Sequence, residues 1–381
     1  MNYDYILTGA GCAGLSFIHY LLRSSLKDKN VLIIDDSPKN ANDKTWCYWS
    51  DEILSIHPNQ DQIVSWNQVT VSDQIQEVQK PLAHYTYYHV KAIDLYDQVM
   101  TEINQSDNIT YLTDRVVKTA FIDKGYIVTT ENSGVYTGAY IINSIPQFSP
   151  HASATKAIKQ VFVGWRIKTD QALVNQNSAT LMKFDHLTQD QVNFFYILPF
   201  SPNELLVEYT LFTKESLNES MMRDKLKTYL SEHMGIDQFE IIHEEKGSIP
   251  MTTRASYQAQ KQNWVDIGTA GGCTKPSTGY TFYNIQKQVQ RLINELESNK
   301  TLTTNWKRKS RFIFYDNILL NIIDKWPKQM AAIFRSMFQN NHPDQVFKFL
   351  QEETSFWEEL KILSKLPFKY FLKSLVQYEK H

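Results

Sequence analysis

Cysteine is scarce in this chain: Cys12, Cys47 and Cys273 are odd in number and far apart. That argues against a disulfide framework or a zinc site and fits the reducing cytosol. Neither sign of charge dominates. The formal net charge is −2, so nothing global speaks for nucleic acid, and attraction to an anionic surface must rest on local patches. No stretch approaches the roughly 18 uncharged apolar residues of a membrane span. A strand-like pattern from Tyr3 onward leaves no room for a basic and then an apolar leader segment, so a secretory signal is not expected. The histidines are scattered and outline neither a metal site nor a catalytic triad. Aromatic side chains are plentiful, at 13% of residues, which suits a large core or the rigid walls of a long apolar cavity. At 381 residues the chain exceeds the roughly 250 to 300 at which one core stops growing, so two or more lobes are expected.

The first stretch with chemistry in it is "DYILTGAGCAGLS", residues 4 to 16. Tyr5, Ile6 and Leu7 read as a buried strand, and Cys12 to Leu26 as a helix with Leu15, Ile18, Leu21 and Leu22 at helical spacing. Gly9, Gly11 and Gly14 therefore sit between strand and helix. A turn there brings backbone close to a pyrophosphate and aims a helix N-terminus at negative charge. A second strand, Val31 to Ile34, ends on Asp35, where an acid accepts hydrogen bonds from ribose hydroxyls. A plain nicotinamide domain would continue as alternating strands and helices. Residues 108 to 144 instead read as short strands with turns at Asp123-Lys124-Gly125 and Asn132-Ser133-Gly134, closed by a strand through Tyr140-Ile141-Ile142. By fold analogy that points to a Rossmann-like two-domain flavoprotein.

From Val161 to Phe212 strand follows strand, with a hairpin at Ser201-Pro202-Asn203-Glu204. This suggests an antiparallel sheet walling a substrate chamber. In "LLVEYTLF" the residues Leu206, Glu208, Thr210 and Phe212 share one face, and Leu205, Val207, Tyr209 and Leu211 the other. Glu208 is the single charge in that run. It is either a residue of a half-exposed sheet edge or a Glu paired with an Arg such as Arg166, or else a carboxyl group lining an apolar chamber, whose desolvation favours the protonated form of a general acid.

At this point the chain resembles the flavin-dependent lycopene cyclases that close the β-ionone rings of carotenoids. The resemblance is carried by the Gly9-Gly11-Gly14 motif, "NDKTWCYW" (42 to 49), "FFYILPFSPNELLVEYTLF" (194 to 212), "GSIPM" (247 to 251), "IGTAGGCTKPSTGYTF" (267 to 282) and "FYDNILL" (314 to 320). It implies a non-redox isomerisation: a proton is added at C2 of an acyclic lycopene end, the C1 cation is captured by the C5=C6 double bond, and a C6 proton is lost. It further implies FAD working in its reduced form, with NADPH as ultimate reductant, and Glu208 as the proton donor or cation stabiliser. Gly268, Gly271 and Gly272 are expected against the flavin. A carbocation needs a dry chamber with negative potential, which aromatic faces provide. Candidate pocket residues are Trp46, Trp49, Tyr85, Trp165, Tyr196 and Tyr280, with Tyr87, Tyr88 and Phe195 beside them; each is otherwise ordinary core. Three positions depart from the family pattern. Lys183 follows Met182 where an acid is usual, with Asp185 two residues along, and Asn143 and Ile145 stand where Asp and Arg are frequent. Altered ring selectivity or single-end cyclisation is the corresponding expectation.

The expected architecture is α/β. A Rossmann-like FAD-binding domain comprises 1–50, 92–150 and 250–300, an antiparallel β-sheet substrate domain comprises 51–91 and 151–249, and a helical segment covers 301–381. In that last segment Lys361, Lys365, Lys369 and Lys373 recur every four residues, interrupted at Pro367, beside Leu363, Leu366, Phe368, Phe371, Leu372 and Leu375. These form either a solvated basic face or an interfacial helix lying in anionic lipid. Because lycopene must be drawn from the bilayer, the second reading is favoured, giving a cytoplasmic protein peripherally attached to membrane. The competing functional readings are a redox flavoenzyme, such as a monooxygenase or another carotenoid-modifying oxidoreductase, and an inactive carotenoid- or flavin-binding protein.

Overall fold

The computed structural model describes residues 2–146, 157–170, 172, 176–184, 191–216, 218–254, 262–298 and 308–381. Apolar runs buried on both faces build the first sheet, as a parallel sheet requires. Its centre is β1 (Asn2–Thr8), flanked in parallel by β2 (Val31–Asp35) and β11 (Val135–Asn143). Beyond β2 lies β8 (Ile109–Thr113), and beyond β11 the antiparallel meander of β10 (Gly125–Thr130) and β9 (Val116–Ile122). The short β17 (Trp264–Asp266) joins the second half of β11. Helices α1 (Cys12–Leu21), α2 (Ala92–Asn104) and α4 (Phe282–Glu297) cover one face, meeting Tyr5, Leu7, Val31 and Ile33. Ile6, Leu32, Ile34 and Ile141 bury the other face under Tyr126, Val128 and Trp264. α1 stops at Leu21, short of the Leu26 that the periodicity suggests. Ser24 Oγ there donates to the Leu21 carbonyl and Arg23 to that of His19, satisfying the acceptors a helix end leaves over.

The second sheet has the order β16-β12-β15-β14-β13-β5-β6. Its strands are β5 (Gln68–Ser72), β6 (Glu77–Pro81), β12 (Lys159–Lys168), β13 (Ser178–Phe184), β14 (Val192–Ser201), β15 (Glu204–Thr213) and β16 (Glu240–Pro250). It is antiparallel throughout except where β13 meets β5. The period of two divides β15 as expected. Leu205, Val207, Tyr209 and Leu211 pack under α3 (Glu219–Thr228) and the turn that follows it. Leu206 and Phe212 face the core shared with the C-terminal helices.

Between the two sheets stands a small one, β3 (Thr45–Ser50), β7 (Thr86–Lys91) and β4 (Ser65–Trp66). Alternation gives it two allegiances. Trp46, Tyr48 and Tyr88 pack into the first lobe, and Cys47, Trp49 and Tyr87 into the second. The C-terminal helices are α5 (Ser310–Lys325), α6 (Met330–Asn340), α7 (Pro343–Leu350), α8 (Phe356–Leu363) and α9 (Phe368–Val376). The first three close the largest core against the second sheet. α8 and α9 are separated at Pro367, which cannot continue a helix.

Candidate active site

The first centre is a cradle of backbone. Gly9 has φ +89°, and a side chain there would collide with Ser144. One at Gly14 would strike the Gly9 carbonyl, so glycine lets α1 dock on the turn. Gly11 differs, because a Cβ on it would meet open space. It is the N-cap of α1, with no capping side chain and no acid in the first turn, so the free N–H groups of that helix end face outward. Asp35 accepts from Ala10 N at 2.6 Å and Ser37 N at 2.8 Å and is paired with Lys39 at 2.8 Å. It braces the turn, and its two oxygens retain acceptor capacity beyond these three contacts. The second glycine block completes the cradle. Gly268 N donates to Gln288 Oε1 at 2.8 Å, and a Cβ on Gly268 would lie 2.6 Å from that of Ala13, so this loop rests on α1. Gly271 is held against the Asp266 carbonyl, while Gly272, with φ +80°, again faces open space. α4 then starts behind Thr281, also without a capping side chain or a first-turn acid. Two open glycines and two uncapped helix N-termini are what a dinucleotide pyrophosphate fits.

The departures Asn143 and Ile145 belong to this cradle. Asn143 accepts from Thr8 Oγ1 at 2.8 Å and donates to Asp266 Oδ1 at 2.7 Å, tying β1, β11 and β17 together. Ile145 lies against Gly9.

The second centre is acidic. Glu208 is 8% exposed and accepts a 2.6 Å hydrogen bond from Thr210 Oγ1. It does not pair with Arg166, which binds Glu204 and stacks on Phe200. A second carboxylate joins it. Gly164 of β12 lies opposite Glu208 on one side and Glu245 on the other. A Cβ on Gly164 would lie 3.3 Å from both side chains, so the two acids lean over the space glycine leaves. Burial first, then the Glu245 charge, push the Glu208 carboxyl up to about 8 against the Thr210 hydrogen bond. Burial also raises Glu245, opposed by hydrogen bonds from Thr45. Glu245 was missed in the sequence because no local pattern links it to Glu208.

Around Glu208 stand weak acids held neutral. Tyr196 lies opposite it on β14, and its hydroxyl meets that of Tyr87 at 2.8 Å. Burial drives both phenols far above their ordinary range and lifts the Cys47 thiol to about 12. Tyr280 completes the group, its ring 4.5 Å from that of Trp49. A cleft lined by Cys47, Trp49, Tyr280, Phe282 and Gln351 opens beside them.

Of the expected pocket residues, the structure thus brings Trp49, Tyr196 and Tyr280 to the acid. It places three elsewhere. Trp165 follows Gly164 on β12 and so points to the opposite face, where it packs near Phe239 and donates to Glu244. Phe195 is there too, stacked on Tyr229. Trp46 faces the first lobe, against Tyr96 and Phe282. Tyr85 sits at the rim near Glu353, Asp51 and Asp344. Lys183 lies opposite Phe195, on the face away from Glu208; Asp185 is outside the described residues.

One loop joins the two centres. After Gly272 it carries Lys275, whose ammonium is 3.0 Å from Asp316 of α5 and 3.2 Å from Glu352. Arg308 binds both acids, and Ser277 donates to Asp316 at 2.5 Å. The loop then delivers Tyr280 to Glu208's face. Among the described residues no cluster of His, Cys, Asp or Glu is placed to hold a metal, and no helix is long and apolar enough to cross a membrane.

Solved structures share the whole architecture. A geranylgeranyl bacteriochlorophyll reductase-like protein from Thermoplasma acidophilum superposes with a TM-score of 0.65 at 11% identity, covering 98% of this chain and 99% of its own. A flavoprotein/dehydrogenase from Cytophaga hutchinsonii gives 0.64 at 12% identity, covering 99% of each chain. At such identities these establish the fold, a Rossmann-like one of the flavoprotein type. In sequence, a lycopene beta-cyclase of Pantoea ananas is 24% identical over 295 residues, spanning 74% of this chain and 71% of the relative. The family model described as lycopene cyclase protein matches residues 4–376, from within β1 to the end of α9. Matched over nearly its whole length, the chain belongs to the lycopene cyclase family, whose work is carotenoid cyclisation.

Proposed function

We propose that the protein is a lycopene beta-cyclase that closes the acyclic ends of lycopene by acid catalysis, with FAD in its reduced form and NADPH as the source of electrons. The observation that carries this reading is a buried Glu208, its carboxyl pushed up to about 8 by burial and by the neighbouring Glu245, facing the aromatic side chain of Tyr196 across the sheet. Gly11, Gly272 and the uncapped starts of α1 and α4 are the groups that would hold the cofactor. Reduced flavin, when bound, supplies negative potential that favours a cation nearby. The chain's own residues do the remainder. Glu208 gives its proton to C2, and the C1 cation is captured by the C5=C6 bond. Loss of the C6 proton restores neutrality, so no electrons are consumed. Tyr196, Tyr280 and Trp49 offer π faces to the cation and exclude water. Cys47, held as a thiol, presents no thiolate to trap it.

The substrate reaches the protein from the bilayer through α8 and α9. Trp357 is 77% exposed and Phe368 56%, with Leu360, Leu372 and Leu375 also exposed beside the lysines. That combination suits the headgroup boundary.

The test is expression in a bacterial host that accumulates lycopene, with chromatography and mass measurement of the pigment. Products of lycopene's mass bearing one or two rings are expected. Glu208→Gln is expected to lower their yield by about 100-fold or more while keeping flavin. Unchanged lycopene with flavin-loaded protein would overturn the reading, and a product of altered mass would favour the redox alternative.

A further inference from the structure

Glu245 has no role in the mechanism above, yet it is 5% exposed and shares Gly164's vacant side-chain space with Glu208. Its surroundings are graded. Asp43 and Lys44 are exposed, Thr45 is half-buried and hydrogen-bonded to Glu245, and Glu208 lies beyond on the same sheet face. A donor that spends a proton in every cycle must be recharged, and in a dry chamber water cannot do this directly.

We propose that Glu245 is a positioning and proton-return carboxyl group, sharing one proton with Glu208 across Gly164 and recharging it from the solvent edge at Lys44 and Thr45. This rests on the proposed cyclase reaction. The balance is simple. Glu208 loses the shared proton to C2, which leaves both groups as carboxylates. The Glu245 carboxylate accepts the proton released from C6, exchanges it with water at the Thr45 side and passes a proton to Glu208, so one proton leaves the pair and one returns in each cycle.

Other groups facing the pair do not supply this. On the same face of β12 and β16 the charged or titratable neighbours are Arg166 and His243, and Arg166 is committed to Glu204. On the sides facing β3, β7, β14 and the glycine loop stand Cys47, Tyr87, Tyr196 and Tyr280, all driven toward their neutral forms by burial. Two carboxylates in one dry space cannot both ionise readily, so one proton is retained between them.

The experiment compares flavin-loaded wild type with Glu245→Gln. Infrared titration of the buried carboxyl stretch is expected to show its midpoint falling by about one pH unit in the variant, because a neighbouring charge is gone. The alkaline limb of the rate profile should move with it. Steady-state cyclisation is expected to drop by about tenfold, with the first turnover affected less, and Glu245→Asp should recover part of the loss. An unmoved carboxyl midpoint together with an unchanged steady-state rate would overturn the proposal. Should the Gln variant fail to fold, Gly164→Ala puts a methyl 3.3 Å from both side chains and is expected to shift the midpoint away from its wild-type value, an unmoved midpoint again speaking against a coupled pair. The infrared measurement needs no carotenoid. It therefore reads the pair even where the pigment assay shows no cyclase, which separates failure of this proposal from failure of the functional reading.

Discussion

A carboxyl group raised from 4.5 to about 8 by folding binds a proton that the unfolded chain releases. The sign follows from linkage. Between those values the native state holds more protons than the unfolded one, so stability falls as pH rises. The contribution of Glu208 is fully present below about pH 4.5 and lost through about pH 8. Glu208→Gln removes the titration, so its melting temperature should decline less between pH 5 and 9 than that of wild type, by roughly 3 °C or more. Parallel decline in scanning calorimetry would mean that Glu208 ionises as freely as in solution. A second contrast separates neighbouring aromatic residues. Trp165→Ala should cost about 3–5 kcal/mol in denaturant unfolding, since a 2%-exposed indole is removed from the α3 side, yet leave the ring yield per flavin-loaded molecule intact. Tyr196→Phe, which loses the hydroxyl contact to Tyr87, should cost only about 1 kcal/mol but lower the yield.

The elements were largely legible because their signals are local. The strand–glycine turn–helix of residues 2–21, the meander from Val116 to Asn143 and the two faces of β15 all follow from periodicity and turn chemistry. What was not legible is register. Alternation says that Gly164 and Trp165 face opposite ways, but which of them faces Glu208 depends on how β12 meets β15. Glu245 lies about eighty residues from Gly164 along the chain, and only the β12–β16 pairing brings it to Glu208. Trp46 and Trp49 illustrate the same limit on β3, whose two faces serve different lobes. The loop between β17 and α4 gives an element-scale prediction. Lys275 is 3% exposed and Asp316 2%, so Lys275→Met leaves Asp316 and Glu352 facing each other with Arg308 alone. Breaking a buried pair in this way typically costs about 3–5 kcal/mol. The urea midpoint of flavin-loaded protein should fall accordingly, with Tyr280 less well held and ring yield reduced. An unchanged midpoint would show that Arg308 suffices to neutralise both acids.

At the scale of the molecule, one apolar core runs from Leu206 and Trp49 on Glu208's side, through Phe347, to Ile362 and Leu366, with Leu363 and Phe371 packed against it. The apolar residues expected along α8 and α9 are therefore divided. Leu366 is buried and Leu363 and Phe371 half-buried, while Phe368, Leu372 and Leu375 are exposed together with Phe356, Trp357 and Val376. The lysines are divided as well, Lys365 donating to the Asn340 carbonyl at 2.7 Å and Lys373 lying 5.3 Å from the Tyr370 ring. A surface with its apolar side chains outward and its inner side continuous with the acid's own core suits a carotenoid taken from lipid. In that reading Trp357→Glu combined with Leu372→Glu removes apolar contact and adds charge of the wrong sign, which should weaken sedimentation with anionic vesicles by about tenfold or more. The variant should cyclise lycopene delivered in detergent at the wild-type rate and lycopene held in vesicles much more slowly. Equal losses on both would place the defect in folding or in the chamber, and equal retention on both would remove α8 and α9 from substrate entry.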